Sequence, residues 1–266
     1  MTKTELLNRC ARNADDRLVL ARVLDKLERA ERRAALEHTA FLSPAERAAA
    51  EDMLKLYGTA VRYTFFGGYA GAERCVCVFL PDWMRETFLW ENEQSPVAAI
   101  GTELYSQANL THRDILGSLM GLGLTREKIG DILISNRKCQ VLLLREVLDI
   151  VLSQWVSVGR YKISAKEIPL TALEAKPPEV REIRDTVAAL RLDSVLASGF
   201  SLPRSRASAL IASGRVSLNH REVLKPDKSV AEGDVLSCRG LGKCTLREIT
   251  GKSRKDRIII IIDRYL

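Results

Sequence analysis

The chain has 266 residues, 46% of them hydrophobic and 28% charged, with a net charge of +7. That length accommodates two or three small domains, and no apolar run approaches the ~20 residues that span a bilayer. Residues 181–266 carry 17 Lys and Arg against 10 Asp and Glu, while the rest of the chain carries 24 of each. The whole positive excess lies in the last third. A field concentrated in this way favours a polyanion, most often nucleic acid, although charge alone leaves an acidic protein or a membrane surface open.

The first stretch, "MTKTELLNRCARNADDRL", has acids and no apolar core of the signal-peptide kind. A cytoplasmic protein is expected. Leu20, Val23, Leu24 and Leu27 recur at helical spacing. In "FLSPAERAAAEDMLKLYG", Ser43 caps a helix, Pro44 suits its first turn, Glu46 completes a capping box and Gly58 ends it. Residues 1–58 are therefore expected to form a helical region.

"VRYTFFGGYAGAERCVCVFLPD" reads as a hairpin around Gly67, Gly68 and Gly71. Such a turn could let backbone approach a phosphate, but a plain hairpin loop is the simpler reading. Further on, "VAAIGTEL" reads as a strand and "HRDILGSLMGLG" as a helix ended by glycine. "DILIS" and "CQVLLLR" read as strands joined by "NRK", "EVLDIVLSQW" as a helix and "GRYKISA" as a closing strand. This β-α-β-β-α-β order over 59–167 predicts an α+β, ferredoxin-like domain. RNA-recognition folds share that order, yet the aromatic strand signature with which they stack bases is missing. Pro177 and Pro178 place a linker at 168–180.

In the basic third, 181–266, "LRLDSVLASGF" predicts a helix stopped by Gly199, and "LPRSRASALIASG" a second helix starting at Pro203. "RVSLNH" predicts a strand closed by a turn at Asn219 and His220. "RIIIIIDRY" predicts a last strand buried on both faces.

The six cysteines are Cys10, Cys75, Cys77, Cys139, Cys238 and Cys244. None forms a C-x-x-C pair. Cys75 and Cys77 would share one face of a strand. Buried free thiols are favoured over a metal site, because the spacings lack a ligand quartet. No metal or other cofactor is expected.

The segments "RLDSVLASG", "RSRASALIASGRVSLN" and "VAEGDVLSCRG", in this order, resemble the RNA-binding domain of ribosomal protein S-four from Leu190 to about Tyr265. "THRDILGSLMGLGLTREKIGDILI" and "HTAFLSPAERAAAEDML" are similar to the YlmH-type RNA-binding proteins of bacteria. The resemblance implies an N-terminal helical region, an RNA-recognition-like middle domain and a C-terminal S-four domain. It puts Arg191, Arg204, Ser205, Arg206, Arg215 and Asn219 on the family's RNA-contacting positions, with Lys243, Lys252, Arg254 and Lys255 as further candidates on later loops. Arg204 and Arg206 would begin a helix, where free N–H groups and the dipole already favour phosphate. His220 stands where many such domains carry glycine.

Three catalytic readings compete. "RLD" at Arg191–Asp193 resembles the context of a catalytic aspartate in pseudouridine synthases, but too little chain follows it for that catalytic domain. "GLGLTREKIG" lacks the preceding strand of a nucleotide-binding loop, so Gly121 and Gly123 read as a helix stop. His112, Arg113 and Asp114 lack the surroundings of a kinase triplet. The expected protein is a non-enzymatic, monomeric binder of ribosomal RNA or tRNA. By resemblance it associates with the large ribosomal subunit carrying peptidyl-tRNA, in quality control of stalled translation, with no membrane partner. The alternative is an RNA-modifying enzyme, of pseudouridine synthase or methyltransferase class, targeted by an S-four domain.

Overall fold

A computed structural model describes all residues except Met1, Asn92, Gln94, 105–109 and Asn136. Asn136, in the connection read from "NRK", thus lies outside the described residues. The fold is mixed α+β with several antiparallel sheets. The chain forms two compact units, Met1–Lys176 and Pro177–Leu266.

The first unit begins with α1 (Lys3–Cys10), α2 (Ala14–Arg33), β1 (Glu37–Leu42), α3 (Pro44–Tyr57), β2 (Arg62–Phe66) and β3 (Cys75–Leu80). Helix α3 has the expected ends: Ser43 and Glu46 form a capping box, and Gly58 takes the left-handed conformation at the C-terminus. The expected all-helical start is corrected by β1, which pairs with β3 in a sheet of order β1-β3-β2. "EHTAFL" is too short to show its period within a helical stretch. Its pairing is set by the long-range fit of Phe41 and Leu42 against β3. Buried Thr39 fills an irregularity in that pairing, donating to the Ala40 carbonyl (2.7 Å) and accepting from the Cys77 N–H (2.9 Å).

All six residues of β3 are buried, because both faces of this central strand are covered. Cys77 and Phe79 join Leu24, Leu27, Ala50 and Met53 of the helices. Val76, Val78 and Leu80 join Val97, Ala99, Leu142 and Leu144 of a second sheet.

That second sheet is built from β4 (Val97–Glu103), α4 (His112–Met120), β5 (Ile129–Ser135), β6 (Lys138–Leu144), α5 (Leu148–Gln154) and, after a small hairpin of β7 (Ser157–Val158) and β8 (Tyr161–Lys162), β9 (Lys166–Ile168). The strand order is β5-β6-β4-β9, antiparallel throughout. "GRYKISA" is not the closing strand. Tyr161 and Lys162 pair back onto Ser157 and Val158 through a turn at Gly159, and Lys166–Ile168 closes the sheet beside β4. Leu170 is buried and the Gln140 side chain bonds the Ala172 carbonyl and the Glu174 N–H, so the chain stays attached to this unit past the last strand. Helices α4 and α5 cover one face of the sheet through Ile115, Leu119, Leu148 and Val151. The other face is buried against the first sheet.

The second unit contains β10 (Val180–Val187), α6 (Leu192–Phe200), α7 (Arg204–Ala212), β11 (Val216–Leu218), β12 (Arg221–Glu222), β13 (Val235–Cys238), β14 (Gly242–Lys252) and β15 (Ile258–Tyr265). They form one sheet of order β10-β15-β14-β13-β11-β12 with α6 and α7 packed on one face. Two expectations are corrected. The isoleucine run is buried on one face only: Ile260 and Ile262 enter the core, while Ile259 and Ile261 stay half-buried opposite. Gly199 does not stop α6, which ends at Ser201 in the left-handed conformation. Gly199 instead lets the helix approach the sheet, since a Cβ there would stand 2.8 Å from Cys244 Sγ.

Gly199→Ala should therefore destabilise the protein by about 1–3 kcal/mol through overpacking, despite alanine's better helix propensity. Adding Cys244→Ala should recover part of that loss. Urea denaturation of the single and double variants measures this, and strictly additive losses would refute the close-approach role.

Candidate nucleic-acid interface

The start of α6 is capped by backbone. Leu192 and Asp193 donate their N–H groups to the carbonyls of Lys228 (2.8 Å) and Pro226 (2.9 Å), in the loop after β12. The Asp193 side chain, only 3% exposed, is left for another task. Arg191 donates to it through Nε (3.2 Å) and Nη2 (3.1 Å). Arg204, the first residue of α7, donates through Nε (3.1 Å) and Nη2 (3.0 Å). Ser194 Oγ adds a bond of 3.3 Å. Burial alone would raise the Asp193 pKa, but the hydrogen bonds from Arg191 and Arg204 outweigh it and hold the carboxyl below its ordinary value. The arginine side chains remain 41% and 53% exposed. They are held at one edge and open to solvent elsewhere.

Ser205 and Arg206 follow on the exposed first turn of α7. Pro203 precedes the helix and supplies no side-chain cap, so the first-turn N–H groups and the positive helix end face outward. The Arg206 side chain makes no hydrogen bond or ion pair among the described residues. Arg215 follows Gly214, and its Nη2 donates to the Arg239 carbonyl (2.9 Å), tying it to the turn between β13 and β14. Exposed Arg239 in that turn is a further cation that sequence reasoning missed.

Asn219 and His220 occupy two successive left-handed positions, φ 50° and 64°, as a two-residue hairpin turn requires. His220 thus adopts the conformation that glycine would take at lower cost. The Asn219 amide turns into the scaffold: Nδ2 donates to Asp234 (2.7 Å), and Oδ1 accepts from the Val235 N–H (2.9 Å). Lys243 lies on the sheet face away from α6 and α7, 4.5 Å from the centre of the Tyr265 ring. Lys252 pairs with Asp256 (2.8 Å) at the hairpin of β14 and β15, where Arg254 and Lys255 are exposed. Arg257 anchors that hairpin to Thr186 of β10. It also lines, with Arg204, Ser194 and Ser198, a groove of about 580 Å³ between β10 and α6. The structure therefore gathers Arg191, Arg204, Ser205 and Arg206 at two helix starts, leaves Lys243 on another face, and adds Arg257, which nothing in its local sequence distinguished.

The other singled-out motifs have structural explanations. Asp114 forms a capping box with Thr111 at the start of α4, and His112 and Arg113 are the exposed first residues of that helix. Gly121 and Gly123 end it. A Cβ at Gly67 would collide with Ala72, and one at Gly68 with Leu142. These glycines permit packing of the hairpin loop.

Because the folded pKa of Asp193 lies below the unfolded one, its pairing contributes stability that is complete above about pH 4 and is lost as pH falls through the folded value. Asp193→Asn should cost about 2 kcal/mol at neutral pH and little under strongly acidic conditions. Denaturation at the two pH values checks this, and equal losses at both would refute the clamp.

Comparison with known proteins bears on the family and the domains of the chain. Three family models match: "YlmH, N-terminal" over residues 15–82, "Putative RNA-binding domain in YlmH" over 105–172 and "S4 domain" over 190–236. A curated protein of Bacillus subtilis (strain 168), "Ribosome-associated protein quality control protein P2", is 32% identical over 94% of this chain and 95% of its own length. A solved structure, "Cell division protein ylmH from Streptococcus pneumoniae", matches with a TM-score of 0.50 and 23% identity, covering 60% of this chain and 95% of that one, and so supports the fold. With a near full-length relative and three domain matches in order, the chain belongs to the YlmH family and carries a C-terminal S4 domain.

Proposed function

We propose that this protein binds structured RNA through its S4 domain. We further propose that it acts on the large ribosomal subunit carrying peptidyl-tRNA, in quality control of stalled translation. The observation that carries the RNA reading is the buried Asp193, which sets two half-exposed arginines beside the open first turn of α7. Such an arrangement suits phosphate, which takes guanidinium forks and helix N-termini in combination. The name of the Bacillus subtilis relative supports the ribosomal part.

The proposed protein is a cytoplasmic monomer that works as a binder and not as an enzyme. The Asp193 oxygens are occupied by arginine donors, which argues against the pseudouridine synthase alternative. We read the four-stranded sheet with α4 and α5 as a ferredoxin-like unit of the RNA-recognition kind. Its β-α-β-β-α-β order and its strand order support that reading. Its sheet face is an unsuitable base platform, because Val97, Ala99, Leu142 and Leu144 are buried there. RNA contacts of the first unit would use other surfaces.

Arg206 offers the cleanest test, since its removal strands no partner. Arg206→Ala should weaken binding to purified large subunits by about 1–2 kcal/mol, within the range of a charge-assisted contact. The slope of log affinity against log salt should become shallower by somewhat less than one. The Ser205→Glu/Arg206→Glu double variant, which leaves the Asp193 pairs intact, should abolish most binding while circular dichroism shows a folded protein. Undiminished binding by that folded variant would exclude this surface as the RNA site.

A further inference from the structure

The first unit holds two converging arginines that make no ion pair among the described residues, in a region without excess charge. Arg74, at the end of the hairpin loop, donates through Nε to the Ile129 carbonyl (3.1 Å) and through Nη2 to the Phe41 carbonyl (3.0 Å). Arg126, just before β5, donates through Nη1 to that same Ile129 carbonyl and to the Gly130 carbonyl (3.1 Å). Two guanidiniums thus converge on one carbonyl oxygen. Both are half-buried, and neither makes an ion pair among the described residues. They line a cavity of about 360 Å³ with Thr39, Ser43 and Thr125.

None of the nearby acids pairs with either guanidinium among the described residues, although Asp131 acts on both through space and Glu46 on Arg74. Glu127 pairs with Arg22 across 2.9 Å. Glu46 accepts the Ser43 N–H (2.6 Å). Asp131 accepts from the Tyr69 hydroxyl (2.8 Å) and from the N–H groups of Glu73 (2.7 Å) and Arg74 (3.1 Å). The charged groups lining the cavity are Arg22, Arg74, Arg126, Glu46 and Glu127. Burial, then the neighbouring Arg74, lowers the Arg126 pKa to about 10 against the opposing effect of Asp131. Both arginines satisfy carbonyls where the pairings of β1 and β5 are irregular. Neutral donors could do that without mutual repulsion. Each guanidinium has five N–H donors, and only two bonds are made by each, so donors remain for a ligand.

We propose that Arg74 and Arg126 form an anion site for a phosphate group, separate from the S4 surface and independent of it. A phosphate would relieve the repulsion and take the unused guanidinium forks.

The test uses the full chain carrying Ser205→Glu and Arg206→Glu, exposed positions outside the Asp193 pairs, so that the S4 surface is silent. Inorganic phosphate should raise Tm above a chloride control of matched ionic strength, with a rise that grows with the logarithm of its concentration. Arg126→Gln keeps a donor for the carbonyls and removes the charge. It should abolish the phosphate-specific rise while leaving Tm in chloride equal or higher. Arg74→Gln, the second variant, should also abolish the rise. Single-stranded RNA with a 5′-phosphate or a 5′-hydroxyl then identifies the source. Preference for the phosphorylated strand assigns a terminal phosphate, and equal binding sensitive to Arg126→Gln assigns the phosphodiester backbone. Binding of inorganic phosphate with neither strand assigns the free ion. The proposal is overturned if phosphate gives no rise over chloride, or if the rise survives in both glutamine variants.

Discussion

One buried carboxylate organises the basic end of the second unit. Asp193 sits at the start of α6, receives Arg191 from its own helix start and Arg204 from the start of α7, and thereby fixes two long side chains that would otherwise sample many rotamers. Ordering such a side chain on binding costs about 0.5–1.5 kcal/mol. Here the ordering is done during folding. A buried charge without partners would be strongly unfavourable, so the acid requires the arginines as much as they require it. The loop carbonyls of Pro226 and Lys228 make this possible by capping α6, which leaves the aspartate side chain unused for capping.

A comparable constraint shapes the first unit. Strand β3 is buried on both faces, with helices on one side and the four-stranded sheet on the other. Close packing of the two sheets sets local conditions. A Cβ on Gly68 would overlap Leu142, and one on Gly130 would stand 2.7 Å from the Phe41 ring. The same packing removes the open sheet face with which RNA-recognition folds stack bases. The missing aromatic signature in β4 and β6 and the burial of that face are therefore one fact seen twice.

Legibility in the sequence followed the range of the interactions. Helix α3 was readable at both ends because Ser43, Glu46 and Gly58 act within a few residues of the ends they define. The helix starts bearing Arg191 and Arg204 were readable from "LRLDSVLASGF" and from Pro203, and from the family resemblance. Strand β1 was not, because its pairing with β3 is long-range and irregular. Gly199 was read as a helix stop because its contact with Cys244 is 45 positions away in "LSCRGLGKCTL". Asn219 was placed among RNA contacts by the family resemblance, and that its amide bonds Asp234 and Val235, 15 and 16 residues away, was not legible. The Arg74 and Arg126 pair was invisible, since Arg74 reaches carbonyls 33 and 55 residues away.

Counting arginines overstates what the basic surface offers to a polyanion. Arg191, Asp193 and Arg204 together carry a net charge of +1, because the acid cancels one of its two partners at long range. Counterion release responds to the charge delivered at the phosphates. The clamped pair should thus contribute less to salt dependence than two free arginines, and more to the orientation of a bound phosphate. Arg206, two residues after Arg204 and without an ion-pair partner among the described residues, would contribute its charge undiminished. On the proposed reading the surface would divide its work physically: the clamped arginines would present a fixed fork geometry, and Arg206, with the exposed first turn of α7, would supply long-range attraction. Structured RNA, whose phosphates are held at set spacings, is the polyanion that rewards such a division, because an unstructured chain could adapt equally well to mobile cations.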